Sequence, residues 1–207
     1  PINLDFTSIF MEGKGDITLL PSQIFTDKAG VIHSSGDKQS PWIGIAPFAA
    51  HKGKIYPIDK MEKVIQQLIH TYPQVRLYLF GGGKEETAIM NQWAETYPQV
   101  INASSQLNGL AQELNLMSQL QLMISMDSGN MHLASLVNTP VISIWGATHP
   151  YAGFMGWNQD DANAVQVSLP CRPCSIYGNK PCLRGDYACL NEIQPEEIIN
   201  KVKFILQ

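Results

Sequence analysis

The 207 residues carry a formal net charge of −4, with 44% hydrophobic and 15% charged side chains. That content is enough for a buried core, and the length suits one domain plus an appendage better than two full domains. Because the chain has no basic stripe and no apolar run near the roughly 20 residues of a membrane span, the sequence argues against a nucleic-acid partner and against a transmembrane segment. No signal-peptide core opens the chain, so we expect a soluble, cytoplasmic protein.

The first 40 residues show little helical period, with short apolar islands between glycines and a proline. We interpret residues 1–40 as a linker or the remnant of a preceding N-terminal domain. The chain starts at Pro1 without an initiator Met, which suggests a piece of a longer polypeptide. The folded domain is expected over residues 41–207.

From residue 42 onward, short apolar runs alternate with amphipathic stretches. Residues 42–46 (WIGIA) predict a strand, and apolar positions at i, i+3, i+4 and i+7 predict a helix over residues 58–70. The remaining strands are predicted at residues 75–80, 100–102, 122–126, 141–145 and 164–167, and further helices at residues 85–96, before residue 118, after residue 127 and at 195–206. Such strand–helix units joined by short loops predict an α/β fold with a mostly parallel sheet and helices on both faces.

The strongest functional signal is the turn that follows residues 122–126. That apolar run stops at Asp127, and Ser128, Gly129 and Asn130 then open a helix. A helix N-terminus presents unpaired N–H groups and a positive dipole end, and glycine lets a ligand approach the backbone closely. These residues therefore predict an anion site, most naturally for phosphate. The alternative is an ordinary turn, because turns of this composition are common.

A longer pattern surrounds this turn. From Asp127 to Pro150 the chain reads DSGxxHxAxxxxxPVxxxWGxTxP, which resembles the nucleotide-sugar half of the bacterial lipopolysaccharide heptosyltransferases of glycosyltransferase family 9. The resemblance extends upstream to Lys54-Ile55-Tyr56-Pro57, similar to the family's K-x-W-P element with Tyr in place of Trp. Downstream it reaches a four-cysteine segment, so that it covers roughly residues 42–207.

The resemblance implies a Rossmann-like, donor-binding C-terminal half of a GT-B glycosyltransferase. The implied reaction transfers heptose from ADP-heptose to a lipopolysaccharide-core acceptor, with inversion and without a metal or other cofactor, in the cytoplasm or peripherally at the inner membrane. The family places the catalytic base in an N-terminal domain that this chain lacks, so we expect no catalytic residue here. The alternatives are an epimerase-like nucleotide-sugar enzyme and a non-catalytic nucleotide-binding module.

The resemblance also assigns diphosphate binding to Lys54, which lies in the loop after the first predicted strand. A lysine there neutralises phosphate as a mobile point charge. His132, one turn inside the helix after Asp127, is expected to reach the diphosphate or to hold the turn by a hydrogen bond. The alternatives are a solvated surface lysine and a histidine packed under the turn.

Two further loops are expected at the same edge of the sheet. The turn Gly81-Gly82-Gly83 has neither the GxGxxG nor the P-loop spacing. The family's Glu after its GG turn accepts both ribose hydroxyls, and Glu85 is the best match, with Glu86 second. The alternative is that both glutamates only favour the helix N-terminus through its dipole. The loop after residue 145 offers Thr148 and His149 to the sugar.

All four cysteines lie in one segment rich in Pro and Gly, the cysteine loop (residues 170–190), at positions Cys171, Cys174, Cys182 and Cys189. The spacing C-x2-C-x7-C-x6-C is compatible with a tetrahedral zinc site but irregular for a known ribbon or finger. Reduced thiols, or disulfides formed after purification, are the alternatives. We expect the loop to be a structural staple that lies outside the strand-end turns.

Overall fold

The computed structural model describes residues 40–207, and the predicted linker lies outside them except for its last residue. The six strands are β1 (Trp42–Ala46), β2 (Arg76–Leu79), β3 (Val100–Asn102), β4 (Leu122–Met126), β5 (Val141–Ile144) and β6 (Ala164–Val165). They form one parallel sheet in the order β3-β2-β1-β4-β5-β6. This is the doubly wound order of Rossmann folds, so the predicted fold class is confirmed.

Helices cover both faces of the sheet. They are α1 (Ile58–Thr71), α2 (Lys84–Thr96), α3 (Leu110–Met117), α4 (Gly129–Leu136), α5 (Ala188–Asn191) and α6 (Pro195–Ile205). On one face α1 buries Met61, Val64, Ile65 and Leu68, the stripe that its sequence spacing predicts. On the other face α3 and α4 contribute to a second apolar cluster. No helix within residues 40–207 combines the length and hydrophobicity needed to cross a membrane.

The last strand is shorter than expected. Strand β6 spans two residues, whereas the apolar pattern predicts a strand over residues 164–167. Val165 pairs with Ile144, the last residue of β5, so the ladder between the two strands ends where β5 ends. Beyond this point the Arg172 guanidinium donates to the Val167 carbonyl and, at 3.1 Å, to Oε1 of Gln166. Gln166 and Val167 are therefore hydrogen-bonded to Arg172 of the cysteine loop.

The strand order reverses between β1 and β4, which lie side by side with Ile43 opposite Leu122. The chain leaves β1 toward β2 on one side and leaves β4 toward β5 on the other. The loops that follow these two strands therefore diverge and leave a crevice at the carboxyl edge of the sheet. In open α/β sheets this is where ligands bind.

Candidate functional site

Three of the predicted site residues meet at this crevice. Lys54 Nζ lies 2.9 Å from Asp127 Oδ2, and Thr148 Oγ1 donates a 2.7 Å hydrogen bond to the same carboxylate oxygen. They come from the loops after β1, β4 and β5. The side chains of Asp127 and Lys54 are only 4% and 15% exposed, and Thr148 is fully buried. We call these three residues the Lys54 cluster.

A short turn brings Lys54 into place. The chain forms a 3-10 turn at Lys52–Lys54, in which Gly53 is buried. A Cβ on Gly53 would lie 2.9 Å from the Cβ of Ala147, so a side chain at this position would push the two loops apart. The Gly53 carbonyl also accepts a 2.8 Å hydrogen bond from the Ala147 N–H. The loops after β1 and β5 are therefore joined directly beside the cluster.

The predicted anion turn is present next to Asp127. Helix α4 begins at Gly129, and Ser128 precedes it in an extended conformation without a side-chain capping hydrogen bond. Gly129 is exposed, and a Cβ built on it would meet no atom within 4 Å. The space over the helix N-terminus is therefore open, with Asn130 half-buried beside it.

His132 is exposed on α4, so the alternative of a histidine packed under the turn is wrong. Thr148, by contrast, was expected to face the sugar, but it is completely buried and its hydroxyl is committed to Asp127. Thr148 therefore stabilises the Asp127 carboxylate through this hydrogen bond. His149 accepts a hydrogen bond from the Tyr151 N–H at Nδ1 (3.2 Å) and so holds the turn that follows it.

The two candidate glutamates have different environments. Glu86 Oε2 accepts a 2.8 Å hydrogen bond from the Gly82 N–H, so this side chain closes the turn after β2. Glu85 is exposed at the start of α2. The same turn is held by Ser104, which lies just after β3 and whose Oγ accepts from the Gly81 N–H at 2.9 Å. The structure therefore leaves Glu85, and not Glu86, free to meet a ligand.

Sequence reasoning missed Arg172. Its Nε donates to the Gly146 carbonyl (2.5 Å), and its Nη2 donates to the Thr148 carbonyl (2.9 Å) and more distantly to the Trp145 carbonyl (3.3 Å). Burial lowers the pKa of this guanidinium from its ordinary value. The available signal was an arginine between the first two cysteines of the loop.

Gly178 brings the same loop onto the cluster. A Cβ built on it would lie 2.9 Å from Lys54 Cγ and 3.2 Å from Thr148 Cγ2. The expectation that the cysteine loop lies outside the strand-end turns is therefore wrong. The Cys174 N–H also donates to the Ala147 carbonyl at 2.8 Å, which ties the loop to the segment after β5.

The four cysteines are free thiols. Burial raises the pKa of the Cys189 thiol to about 11, whereas a hydrogen bond from the Tyr187 backbone lowers the pKa of Cys182. Among residues 40–207, no group of three or more His, Cys, Asp or Glu side chains is arranged to hold a metal ion.

Known proteins with similar sequences are heptosyltransferases. The sequence model of the family described as Glycosyltransferase family 9 (heptosyltransferase) matches residues 19–182. Lipooligosaccharide heptosyltransferase 2 of Campylobacter jejuni is 26% identical over 137 residues, which are 63% of this chain and 41% of that protein. Lipopolysaccharide heptosyltransferase 1 of Campylobacter coli is 26% identical over 162 residues, 75% of this chain and 44% of that protein. The chain thus spans less than half the length of these relatives.

Solved structures show the same fold. ADP-heptose lps heptosyltransferase II of E. coli has a TM-score of 0.57 at 20% identity, covering 82% of this chain and 47% of that one. The glycosyl transferase family 9 protein of Veillonella parvula has a TM-score of 0.61 at 18% identity, covering 81% and 46%. The family assignment itself comes from the sequence match, which covers well over half of the residues. On that evidence, this chain belongs to glycosyltransferase family 9, the heptosyltransferase family.

Proposed function

We propose that this chain is the donor-binding part of an inverting glycosyltransferase that transfers heptose from ADP-heptose to a lipopolysaccharide-core acceptor. The observation that carries the proposal is the Lys54 cluster beside the open N-terminus of α4, at the switch point of the sheet. Family membership supports it. So do the structures of an E. coli heptosyltransferase with ADP and with ADP-2-deoxy-2-fluoro heptose, a relative that shares the fold.

The cluster fits the charge that such a reaction develops. An ammonium has three donors, and the Asp127 carboxylate occupies one direction of Lys54 Nζ at 2.9 Å. The other donors remain for a phosphate oxygen, joined by the N–H groups at Ser128, Gly129 and Asn130. Negative charge grows on the leaving diphosphate in the transition state, so fixed donors at this place favour the transition state over the ground state.

The same proposal gives roles to two further side chains and to an N-terminal domain. Exposed Glu85 binds the ribose and exposed His132 reaches the diphosphate. The catalytic base that deprotonates the acceptor hydroxyl lies in an N-terminal domain, to which residues 1–40 are the linker or the remnant. The isolated chain should then bind nucleotide but turn over poorly. We place the enzyme in the cytoplasm, free or peripherally attached to the inner membrane.

Two substitutions in the turn test the phosphate assignment. Gly129→Val fills the space that a phosphate needs, and it meets no protein atom within 4 Å of its Cβ, so the fold should tolerate it. We expect ADP binding at least roughly tenfold weaker, as for a misplaced contact in a preorganised site. Ser128→Ala keeps the backbone donor and should lose less.

Titration calorimetry with ADP on the parent and both variants gives the affinities, and circular dichroism checks that each variant is folded. Undiminished ADP affinity in folded Gly129→Val would put the phosphate elsewhere. In that case the proposed function would lose its main support.

A further inference from the structure

The cysteine loop encloses one side of the Lys54 cluster, and it does so through two residues that the proposed function leaves without a role. One is Arg172, which holds the backbone of the loop after β5. The other is Gly178, which packs on the side chains of the cluster itself. Both belong to a segment that carries none of the residues assigned to the nucleotide.

Arg172 acts on the cluster through the main chain. Its guanidinium donates to the carbonyls of Gly146 and Thr148, 2.5 and 2.9 Å away, and to the Val167 carbonyl beyond the end of β6. A rigid fork of five donors that meets these three carbonyls, and more distantly that of Trp145 at 3.3 Å, fixes their relative positions. The segment that it fixes carries the Thr148 hydroxyl, which must stay 2.7 Å from Asp127 Oδ2 for their hydrogen bond to persist. The guanidinium thereby fixes the position of the Thr148 hydroxyl relative to the Asp127 carboxylate.

Gly178 acts on the cluster through contact. It has a φ of +71°, and the space where its Cβ would stand is taken by Lys54 Cγ at 2.9 Å and Lys54 Cε at 3.1 Å. A second contact lies alongside, where Lys52 Nζ sits 5.1 Å from the centre of the Tyr187 ring. A lysine side chain has several freely rotating bonds, so a wall along its stem removes conformations that point the ammonium away from Asp127.

We propose that the cysteine loop is a positioning element of the donor site, in which Arg172 holds Thr148 against Asp127 and Gly178 confines the stem of Lys54. The inference rests on the proposed function, because it concerns the same phosphate-binding cluster. It gives the loop a part in nucleotide affinity that a distant staple would not have. Neither Arg172 nor Gly178 touches the nucleotide in this scheme.

The test compares two glycines of the loop. Gly178 and Gly185 both adopt left-handed backbone conformations, with φ of +71° and +78°, so an alanine costs similar backbone strain at each. Only at Gly178 does the new Cβ meet the cluster, whereas at Gly185 it meets nothing within 4 Å. We expect Gly178→Ala to bind ADP roughly tenfold more weakly than the parent and Gly185→Ala to bind ADP like the parent.

A double mutant separates positioning from general damage. If Gly178 acts through Lys54, then Gly178→Ala should cause no further loss of ADP affinity in a Lys54→Ala background. If Gly178→Ala fails to fold, Arg172→Lys replaces it, because an ammonium keeps the charge but cannot meet the three carbonyls together. Its loss of affinity should vanish in a Thr148→Val background. Arg184→Lys is the matched control, since Arg184 is exposed and pairs with Asp186 at 2.9 Å.

The affinities come from ADP calorimetry on the full chain, corrected for the folded fraction. Equal ADP affinities of folded Gly178→Ala and Gly185→Ala would overturn the inference. So would losses of affinity from Gly178→Ala and Lys54→Ala that are fully additive in the double mutant. In both cases ADP binding by the parent would leave the proposed function standing. A parent that does not bind ADP would overturn both.

Discussion

The hydroxyl of Thr148 gives the sharpest test of the Lys54 cluster as an energetic unit. Thr148→Val keeps the shape of a fully buried side chain but removes the donor to Asp127 Oδ2, 2.7 Å away. Hydrogen bonds to a charged partner contribute about 1.5–3 kcal/mol to stability, and the carboxylate still keeps Lys54 at 2.9 Å. We therefore expect a loss of about 2 kcal/mol in the free energy of unfolding, or roughly 4–8 °C in Tm for a domain of this size.

Thr139 provides the matched control. It is also buried, and its Oγ1 donates to the neutral Met117 carbonyl at 2.6 Å. Because neutral hydrogen bonds contribute about 0.5–1.5 kcal/mol, Thr139→Val should cost about half as much. Urea denaturation of the parent and both variants, fitted with a common m-value, measures the difference. A Thr148→Val variant no less stable than Thr139→Val would refute the view that this hydroxyl supports a buried carboxylate.

Two further predictions concern titratable groups outside the Lys54 cluster. Cys182, whose pKa is lowered by backbone N–H donors, should be alkylated by iodoacetamide first, and buried Cys189 should be alkylated last. Mass spectrometry of timed aliquots gives the order of alkylation. Faster labelling of Cys189 than of Cys182 would contradict the prediction. The Tyr56 hydroxyl is buried and donates to the Ile193 carbonyl at 3.0 Å, and burial raises its pKa above the ordinary value. The neutral phenol then stabilises the fold below the unfolded pKa of about 10, and this stabilisation is lost as the pH rises further. Urea denaturation should therefore show that the stability of the parent falls more steeply above pH 10 than that of Tyr56→Phe. Parallel slopes for the two proteins would contradict the prediction.

Much of the fold follows from local sequence patterns. The apolar runs of the central strands and the spaced apolar stripe of α1 indicate burial directly, because apolar side chains in these patterns are stable only when they pack inside the core between sheet and helices. The edge is less predictable. Strand β6 stops after Val165 because its partner β5 ends at Ile144, and no pattern within residues 164–167 encodes the length of the neighbouring strand.

The candidate site divides in the same way. The meeting of Lys54 with Asp127 was predictable, because loops after neighbouring parallel strands emerge at one edge, although family resemblance was needed to tell Lys54 from a surface lysine. The burial of Thr148 and the position of the cysteine loop were not predictable from the sequence. Arg172 binds backbone carbonyls, which are present at every residue and leave no mark on the sequence. Only the folded chain shows which carbonyls lie within reach.

The two outer strands of the sheet affect how copies of the protein meet each other. Strand β3 has three residues and β6 has two, so each open edge in the described part of the chain offers only a short row of unpaired N–H and C=O groups. Long, flat edges act as templates on which another molecule adds its own strand, and natural proteins suppress this by keeping edges short. The domain is therefore a poor seed for edge-to-edge aggregation, even at the high protein concentrations that titration calorimetry requires.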